Sequence, residues 1–298
     1  MQLNNSQLVL YIGWILHKRL SIFKKAQKEG WAVGQFNVSN LEAMRAVIEA
    51  ARELKKPVII GTSEGESRFI GLKQAVCLVK SFREESSFPI YLNLDHGRDL
   101  DYIKKAIDQG YDLVHYDGSN LSLKENIKNT ISIVKYAHGK GVLVEGEIGT
   151  IVGSSEIHKE ELEVKKENLA SSEDAKIFVE KTKVDILAVA VGNIHGLYEN
   201  AEKPQPDFKR LTEIKEKVKI PLVLHGGSGI KEYHLKEAIR LGVVKINVNT
   251  ELRKAFTDSL RKALSDNPDE VKPYKILLPS IVAMKDVVRQ KIRQYSIN

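Results

Sequence analysis

The sequence predicts an α/β chain that folds as a single (β/α)8 TIM barrel across residues 1–298. It adds an N-terminal extension (about 1–19) and additional C-terminal helices (about 266–298). Three observations carry this expectation. Eight short apolar, β-branched runs alternate with segments of helical periodicity, and strands alternating with helices imply parallel strands joined by helical crossovers. The runs are nearly continuous in apolar residues, as strands covered on both faces are. They recur roughly every 30 residues, the spacing of a barrel of about 250 residues. A doubly wound open sheet is the alternative, but no GxGxxG follows the first strand.

The elements follow in order. Residues 8–16, LVLYIGWIL, are mostly apolar but far short of the ~20 that span a bilayer. No basic residue precedes them, and no small-residue cleavage site follows before His17, Lys18 and Arg19, which argues against a secretory signal. A short helix on the barrel rim, or an oligomer contact, is expected there. The strand runs are AVGQFNV (32–38), PVIIGTS (57–63), PIYLNLDHG (89–97), LVHYDGS (113–119), VLVEGEIG (142–149), DILAVAVG (185–192), PLVLHGG (221–227) and VVKINVNT (243–250). Between them, Leu41, Met44, Val47, Ile48 and Ala51 form one helical stripe, and Ile127, Ile131, Val134 and Ala137 another. Residues 150–172 form a long, highly charged loop after the fifth strand, and loops of that length are usually functional. An amphipathic helix over about 281–292 follows Pro279.

Composition narrows the class. With 42% hydrophobic and 29% charged residues, disorder, collagen and a membrane bundle are excluded. The one cysteine, Cys77, cannot form an internal disulfide, so a reducing, cytoplasmic setting is expected. The net charge of +7 suits an anionic partner such as a phosphorylated metabolite. The basic residues are scattered, without a zinc finger or a basic–aromatic run, so neither nucleic acid nor membrane is expected as a partner.

Barrel chemistry gathers at the C-terminal ends of the strands. Those ends read Asn37, Ser63, Asp95 and His96, Asp117 and Ser119, Glu145 and Glu147, His195, His225, then Asn247 and Asn249. A lone histidine at such a place is usually structural, but His96, His195 and His225 converge on one mouth. Three neutral imidazoles leave a zinc ion an open fourth position, the arrangement of a catalytic site. His17, His138, His158, His234 and His115 are taken as non-ligands. Asp95 is read as orienting a histidine or as a general acid/base. Lys245, on a strand, is expected to face the outer helices or the barrel bottom. Gly226, Gly227 and Ser228 follow the seventh strand, and Asn247, Asn249 and Thr250 lead into a helix after the eighth. Loops after these two strands, with a helix N-terminus, are the usual phosphate site of such barrels.

With these residues in view, the chain resembles the class II, zinc-dependent fructose-bisphosphate aldolase family, which includes the tagatose-bisphosphate aldolases. The carriers are AVGQFNVSNLEAMRAVIEAA, PVIIGTSEG, LNLDHG, DGSNLSLKENI, VEGEIGT, AVAVGNIHGLY, PLVLHGGSGI and KINVNTEL, spread over about residues 20–295. The resemblance implies a glycolytic lyase that reversibly joins dihydroxyacetone phosphate to an aldehyde, acting as a homodimer or homotetramer. It implies zinc on His96, His195 and His225, and a second or displaced metal position at Asp117 and Glu147. Asp95 would protonate the aldehyde-derived oxygen. Gly196, Gly226, Ser228, Asn247, Asn249 and Thr250 would hold dihydroxyacetone phosphate, some through a monovalent cation, Na+ or K+. Asn37 and Ser63 would lie near the substrate. Arg253 would grip the distal phosphate of fructose bisphosphate, where the tagatose type carries lysine. Two departures stand out: Ser155 occupies the place of the family's loop glutamate, with Glu156 beside it as the expected substitute, and Asn93 stands where histidine is common. Tagatose bisphosphate and a non-catalytic sugar-phosphate-binding barrel are the alternative readings.

Overall fold

The computed structural model describes residues 5–296 and is a closed parallel barrel. The chain opens with α1 (Asn5–Glu29). Then come β1 (Val33–Asn37), α2 (Leu41–Leu54), β2 (Val58–Ser63), α3 (Glu64–Ile70), α4 (Leu72–Glu84), β3 (Ile90–Gly97), α5 (Leu100–Gln109) and β4 (Leu113–Tyr116). The second half holds α6 (Leu123–His138), β5 (Leu143–Ile148), β6 (Ile157–His158), α7 (Ser172–Thr182), β7 (Ile186–Val189), β8 (Leu197–Tyr198), α8 (Phe208–Lys217), β9 (Leu222–Leu224), α9 (Glu232–Arg240) and β10 (Val243–Val248). It ends with α10 (Thr250–Asp266) and α11 (Pro273–Gln294). The barrel order is β1-β10-β9-β7-β5-β4-β3-β2, every pair parallel. Each of the eight expected runs is one of these strands. The two-residue strands β6 and β8 pair with each other over the mouth side and tie the charged loop to the segment after His195.

The two faces of each strand go to different places, because successive side chains alternate. Phe36, Leu92, Val114 and Leu224 point outward and join the core shared with the helices. The inward residues at the N-terminal ends, Val33, Ile59, Leu113, Leu143, Ile186 and Val223, form a separate apolar cluster closed by Phe23 and Ala26 of α1. Helix α1 is therefore the floor of the barrel rather than a short rim helix. Arg19 fastens it by donating to Asp112 Oδ1 (2.5 Å) and to the Gly141 carbonyl (2.6 Å), both at strand starts. Its first turns leave Leu8, Val9, Leu10, Tyr11 and Trp14 exposed. No helix among the described residues is long and apolar enough to cross a membrane.

Three details differ from the sequence reading. Helix α11 starts at Pro273 and runs through Pro279. Pro279 and Lys275 both lie on the exposed side, so the carbonyl that the proline leaves without a helical donor faces water. Leu41 and Ile131 turn outward, while Ala43 and Ile133 take the buried positions of their helices. Lys245 faces the barrel interior: the β9–β10 register shifts between Val243 and Lys245, so Val244 joins the floor cluster and Lys245 still points inward.

Phe23→Ala should cost about 3–5 kcal/mol, the usual price of emptying a fully buried phenylalanine site, read as a lower denaturation midpoint in urea. A loss below about 1 kcal/mol would show that α1 does not close the floor.

Candidate metal and phosphate site

Above the apolar floor lies a polar layer made by the next inward residues of the strands. Gln35, Asn93, His115, Glu145 and Lys245 are each fully buried. Asn93 Nδ2 donates to Gln35 Oε1 (2.8 Å), and Gln35 Nε2 donates to Asn37 Oδ1 (3.2 Å). Gly61 makes this possible: a Cβ there would sit 2.4 Å from Asn37 Oδ1 and 2.8 Å from Gln35 Nε2. Lys245 Nζ lies 2.8 Å from Glu145 Oε2 and 2.8 Å from Asn247 Oδ1. Glu145 Oε1 in turn lies 2.7 Å from His225 Nε2.

The third inward layer is the mouth. Asp95 is fixed at both oxygens, accepting from Asn247 Nδ2 (3.0 Å) and from Asn37 Nδ2 (3.0 Å). Regular alternation would send the next residue, His96, outward. His96 instead has φ of 48°, in the left-handed region, and the β3–β4 register shifts between Leu94 and Gly97. A non-glycine residue there is strained, and such strain concentrates at functional sites. The His96 amide donates to His115 Nδ1 (3.2 Å), which holds the bend. Asp95 and His96 thus both reach the mouth.

The rings of His96, His195 and His225 gather at the mouth. The His96 ring centre lies 4.6 Å from that of His225 and 4.9 Å from that of His195, with 6.0 Å between the last two. Two sets of donor atoms lie within 4.8 Å of one another: Asp95, His96, His115 and His225, and then His96, Asp117 and Glu147. His115 therefore belongs to the cluster, contrary to the sequence reading, because the inward face of β4 carries it between Glu145 and Glu147. His195 stands beside both sets but outside them.

The donor chemistry fits a divalent cation. His225 gives its Nε2 proton to Glu145, and His96 gives its Nδ1 proton to Asp117 (3.2 Å). That leaves His225 Nδ1 and His96 Nε2 facing each other at 2.9 Å; burial would lower the His96 pKa, but Asp95 and Asp117 raise it, which favours a proton on that nitrogen where no cation is bound. Two imidazole lone pairs repel at that distance unless a proton or a cation lies between them. Glu147 Oε2 is buried with no hydrogen bond, 3.8 Å from His96 Nδ1. Burial first, and then the neighbouring His96, lowers the pKa of both His195 and His225, which keeps them in the neutral form that ligates. Burial alone would raise the pKa of Asp95. The positive groups around it, His96 first, outweigh that and hold it well below the usual carboxylate range. Asp117 is likewise lowered; burial is overcome by His96, and Arg98 also donates to it (2.7 Å).

The anion side is built of glycines and a helix start. Asn37, Asp95, His96, Ser155, His195, Gly196, His225, Gly226, Ser228, Asn247, Asn249 and Thr250 line one narrow pocket. Gly226 has φ of 61°, and a Cβ on it would lie 2.1 Å from the Ile194 carbonyl oxygen. Helix α10 begins at Thr250 with no side-chain cap, and the buried Asn249 Oδ1 has no partner. Beneath this cradle lies Lys203, whose ammonium donates to the carbonyls of Gly196, Gly226 and Ser228.

The other expected residues fall around this pocket. Asp117 and Glu147 line the adjoining opening with His96 and His195. Arg253 lines a second opening of about 720 Å3 together with Asn37, Asn249, Leu252, Phe256 and Met284. Its Nη2 donates to Glu66 Oε1 (2.7 Å) and its Nη1 to the Ser155 carbonyl (3.0 Å). Ser63 is absent from these linings, because its hydroxyl caps α3 in a reciprocal capping box with Glu66. Gly227 is also absent; its amide donates to the Asn247 carbonyl (2.7 Å), and a Cβ would meet Ile246. Glu156 is exposed and outside the lining. Its carbonyl accepts from Leu197 at the start of the β6–β8 pair, so Ser155 turns in and Glu156 turns out. The sequence reading missed Glu66, His115 and Lys203. Only the capping pattern of Ser63 and Glu66 signalled one of them.

Ser63→Ala should lower stability by about 1 kcal/mol, the worth of a helix N-cap, while leaving ligand affinity within twofold by calorimetry. A larger loss of affinity than of stability would return Ser63 to the site.

The family profile described as fructose-bisphosphate aldolase class-II matches residues 18–298. A probable fructose-bisphosphate aldolase of Bacillus subtilis (strain 168) is 40% identical over 275 residues, 91% of this chain and 94% of that relative. A sulfofructosephosphate aldolase of Alkalicoccus urumqiensis is 37% identical over 275 residues, 92% of this chain and 94% of its own. Among solved structures, the YdjI aldolase from Escherichia coli K12 superposes with a TM-score of 0.79 at 30% identity, covering 93% of this chain and 96% of that one.

Proposed function

The chain belongs to the class II fructose-bisphosphate aldolase family, and we propose that it reversibly cleaves fructose 1,6-bisphosphate into dihydroxyacetone phosphate and glyceraldehyde 3-phosphate. Membership makes it a lyase, which sets aside the non-catalytic reading. The observation that carries the proposal is the adjacency of two sites in one pocket: facing imidazole nitrogens beside buried carboxylates, and a glycine-lined anion cradle. We extend the reading to a cytoplasmic, glycolytic homodimer or homotetramer; the lone exposed Cys77 and the exposed apolar side chains of α1 are compatible with it.

His96, His195 and His225 would hold the divalent ion, zinc in this reading, with Asp117 and Glu147 offering a second or displaced position. Bound there, it supplies Lewis-acid stabilisation of the negative charge that develops on the substrate's carbonyl oxygen. Asp95 does the proton transfer. It is ionised, and both its oxygens are fixed by Asn37 and Asn247, so it can take the C4 hydroxyl proton. As the C3–C4 bond breaks, the C4 oxygen becomes the aldehyde carbonyl and the electron pair stays at C3, which takes a proton from solvent water at the open mouth, while the proton held by Asp95 passes to the hydroxide left behind. In condensation Asp95 returns the proton. Gly196, Gly226, Ser228, Asn249 and Thr250 anchor the phosphate next to C1, and Arg253 faces the far end of the sugar. Fixing both ends keeps the scissile bond beside Asp95. The exposed Glu156 is given no proton in this scheme.

One observation favours a second substrate. The buried Glu66 carboxylate already pairs with Arg253, which leaves less positive charge for a phosphate dianion than a free guanidinium would. A ketose 1-phosphate with a singly charged or uncharged tail fits that partial neutralisation. Turnover measured side by side on fructose bisphosphate, tagatose bisphosphate and fructose 1-phosphate ranks these readings.

A chelator should abolish cleavage and added zinc should restore it, and borohydride with substrate should not trap the enzyme. Borohydride inactivation with resistance to chelator would reject the metal reading. Arg253→Ala should raise KM for fructose bisphosphate about tenfold or more, the worth of a charge-assisted hydrogen bond. KM for dihydroxyacetone phosphate should hold. Equal rises for both would remove Arg253 from the distal end.

A further inference from the structure

Among the described residues, Lys203 places a charge under the anion cradle without a salt-bridge partner. It lies in the loop between β8 and α8 and is 6% exposed. Its Nζ is 3.0 Å from the Gly196 carbonyl oxygen, 2.6 Å from that of Gly226 and 2.8 Å from that of Ser228. All three residues line the pocket. An uncharged amine has two N–H groups, whereas an ammonium has three, so three acceptors converging on one nitrogen match the ammonium. The surrounding backbone is shaped to it as well. A Cβ on Gly226 would lie 3.4 Å from Lys203 Nζ, and one on Gly229 would lie 3.4 Å from Lys203 Cδ. Among the described residues no carboxylate pairs with Lys203; the nearby Glu251 is taken by Lys291 (2.8 Å) and by the Gly229 amide (2.9 Å).

We propose that Lys203 is the resident cation of the phosphate cradle: its ammonium fills the place that three converging carbonyls would offer to a sodium or potassium ion, so this chain binds the phosphate of dihydroxyacetone phosphate without a monovalent cation. The proposal rests on the aldolase reading for the identity of that phosphate. Three carbonyl oxygens facing one point present negative charge beneath the pocket, and an incoming dianion would be repelled unless a cation lay between. A tethered ammonium supplies that cation at every salt composition. It also joins the loop after His195 to the loop after His225, so one charge sets both halves of the cradle. Burial lowers the Lys203 pKa to about 7, against the opposing pull of Glu251, and the negative charge of a bound phosphate would raise it again. Lys203 is thus a positioning residue: it acts on the phosphate through Gly196, Gly226 and Ser228.

The test uses the zinc-loaded enzyme in tetramethylammonium buffer, with sodium, potassium or ammonium chloride added at constant ionic strength. For the wild type, KM for dihydroxyacetone phosphate in the condensation direction should stay within twofold across all salts. In Lys203→Met it should rise at least tenfold, with KM for the aldehyde within twofold, and potassium or ammonium should recover part of the loss. A wild type that requires sodium or potassium overturns the proposal. So does a Lys203→Met enzyme with unchanged KM for dihydroxyacetone phosphate, or with equal, salt-independent losses for both substrates. Should Lys203→Met not fold, the wild-type salt series decides alone. Calorimetry with inorganic phosphate separates this proposal from the aldolase reading. Phosphate binding that needs no alkali cation supports Lys203 even if no ketose phosphate is turned over, whereas turnover that requires potassium removes Lys203 and leaves the aldolase standing.

Discussion

The buried Glu145 carboxylate is the interaction on which the rest of the site depends. A closed barrel gives its inward side chains no water, so a charge there must find its counter-charge within the same layer. Glu145 takes Lys245 on one oxygen and His225 on the other. Burial would raise its pKa, but Lys245 and the neighbouring imidazoles reverse the direction and keep it ionised. An ionised Glu145 fixes the His225 proton on Nε2 and so leaves Nδ1 as a lone pair aimed at His96. Lys245 then passes the constraint on through Asn247 to Asp95. One ion pair thereby sets the tautomer of a metal-ligand candidate and the orientation of the proposed acid/base.

The second constraint is the bend at His96. Its left-handed backbone lets two consecutive residues share one face, at the cost of strain that something else must hold. His115 does so through its Nδ1. Burial disfavours a positive His115, yet the carboxylates of Glu145, Asp95 and Glu147 raise its pKa to about 10. The His96 amide requires a lone pair on Nδ1, so in the arrangement seen the ring proton sits on Nε2, facing Glu147 Oε2 at 3.3 Å. The excess of carboxylate around these rings calls for positive charge, which a divalent cation supplies more compactly than protons on several histidines.

The two ends of the pocket are built differently. The cradle end is rigid: glycines in left-handed conformations, a helix start and a buried ammonium leave little freedom. At the far end, half-exposed Arg253 leans on Glu66 and on the Ser155 carbonyl of the charged loop. In the proposed reading, the tail charge of the substrate would be read where the structure is most open.

The amino-acid sequence pointed to the architecture: eight apolar runs alternating with helical stripes call for a parallel sheet covered on both faces, and the lack of a GxGxxG after the first strand favoured a closed barrel over a doubly wound sheet. It also placed His96, His195 and His225 at one mouth, because strand ends of a parallel barrel share it, but not which of their nitrogens share a common point: His96 and His225 do so with Asp95 and His115, and His195 stands beside them. Periodicity could not show what happens within a layer. His115 and Lys245 read as ordinary strand residues until the inward face and the register shift at β10 placed them against Glu145. Ser63 read as a site residue until its hydroxyl proved to be a helix cap. Glu156 stood one place from the expected loop acid, and the bond from the Leu197 amide to its carbonyl, just before β6, leaves its side chain exposed while Ser155 lines the pocket. Lys203 lies in a polar loop with no local pattern, and only the folding of two distant loops onto one point brought three carbonyls to its ammonium. Local spacing fixes which elements form, whereas contacts between residues far apart in the chain decide protonation, tautomer and charge.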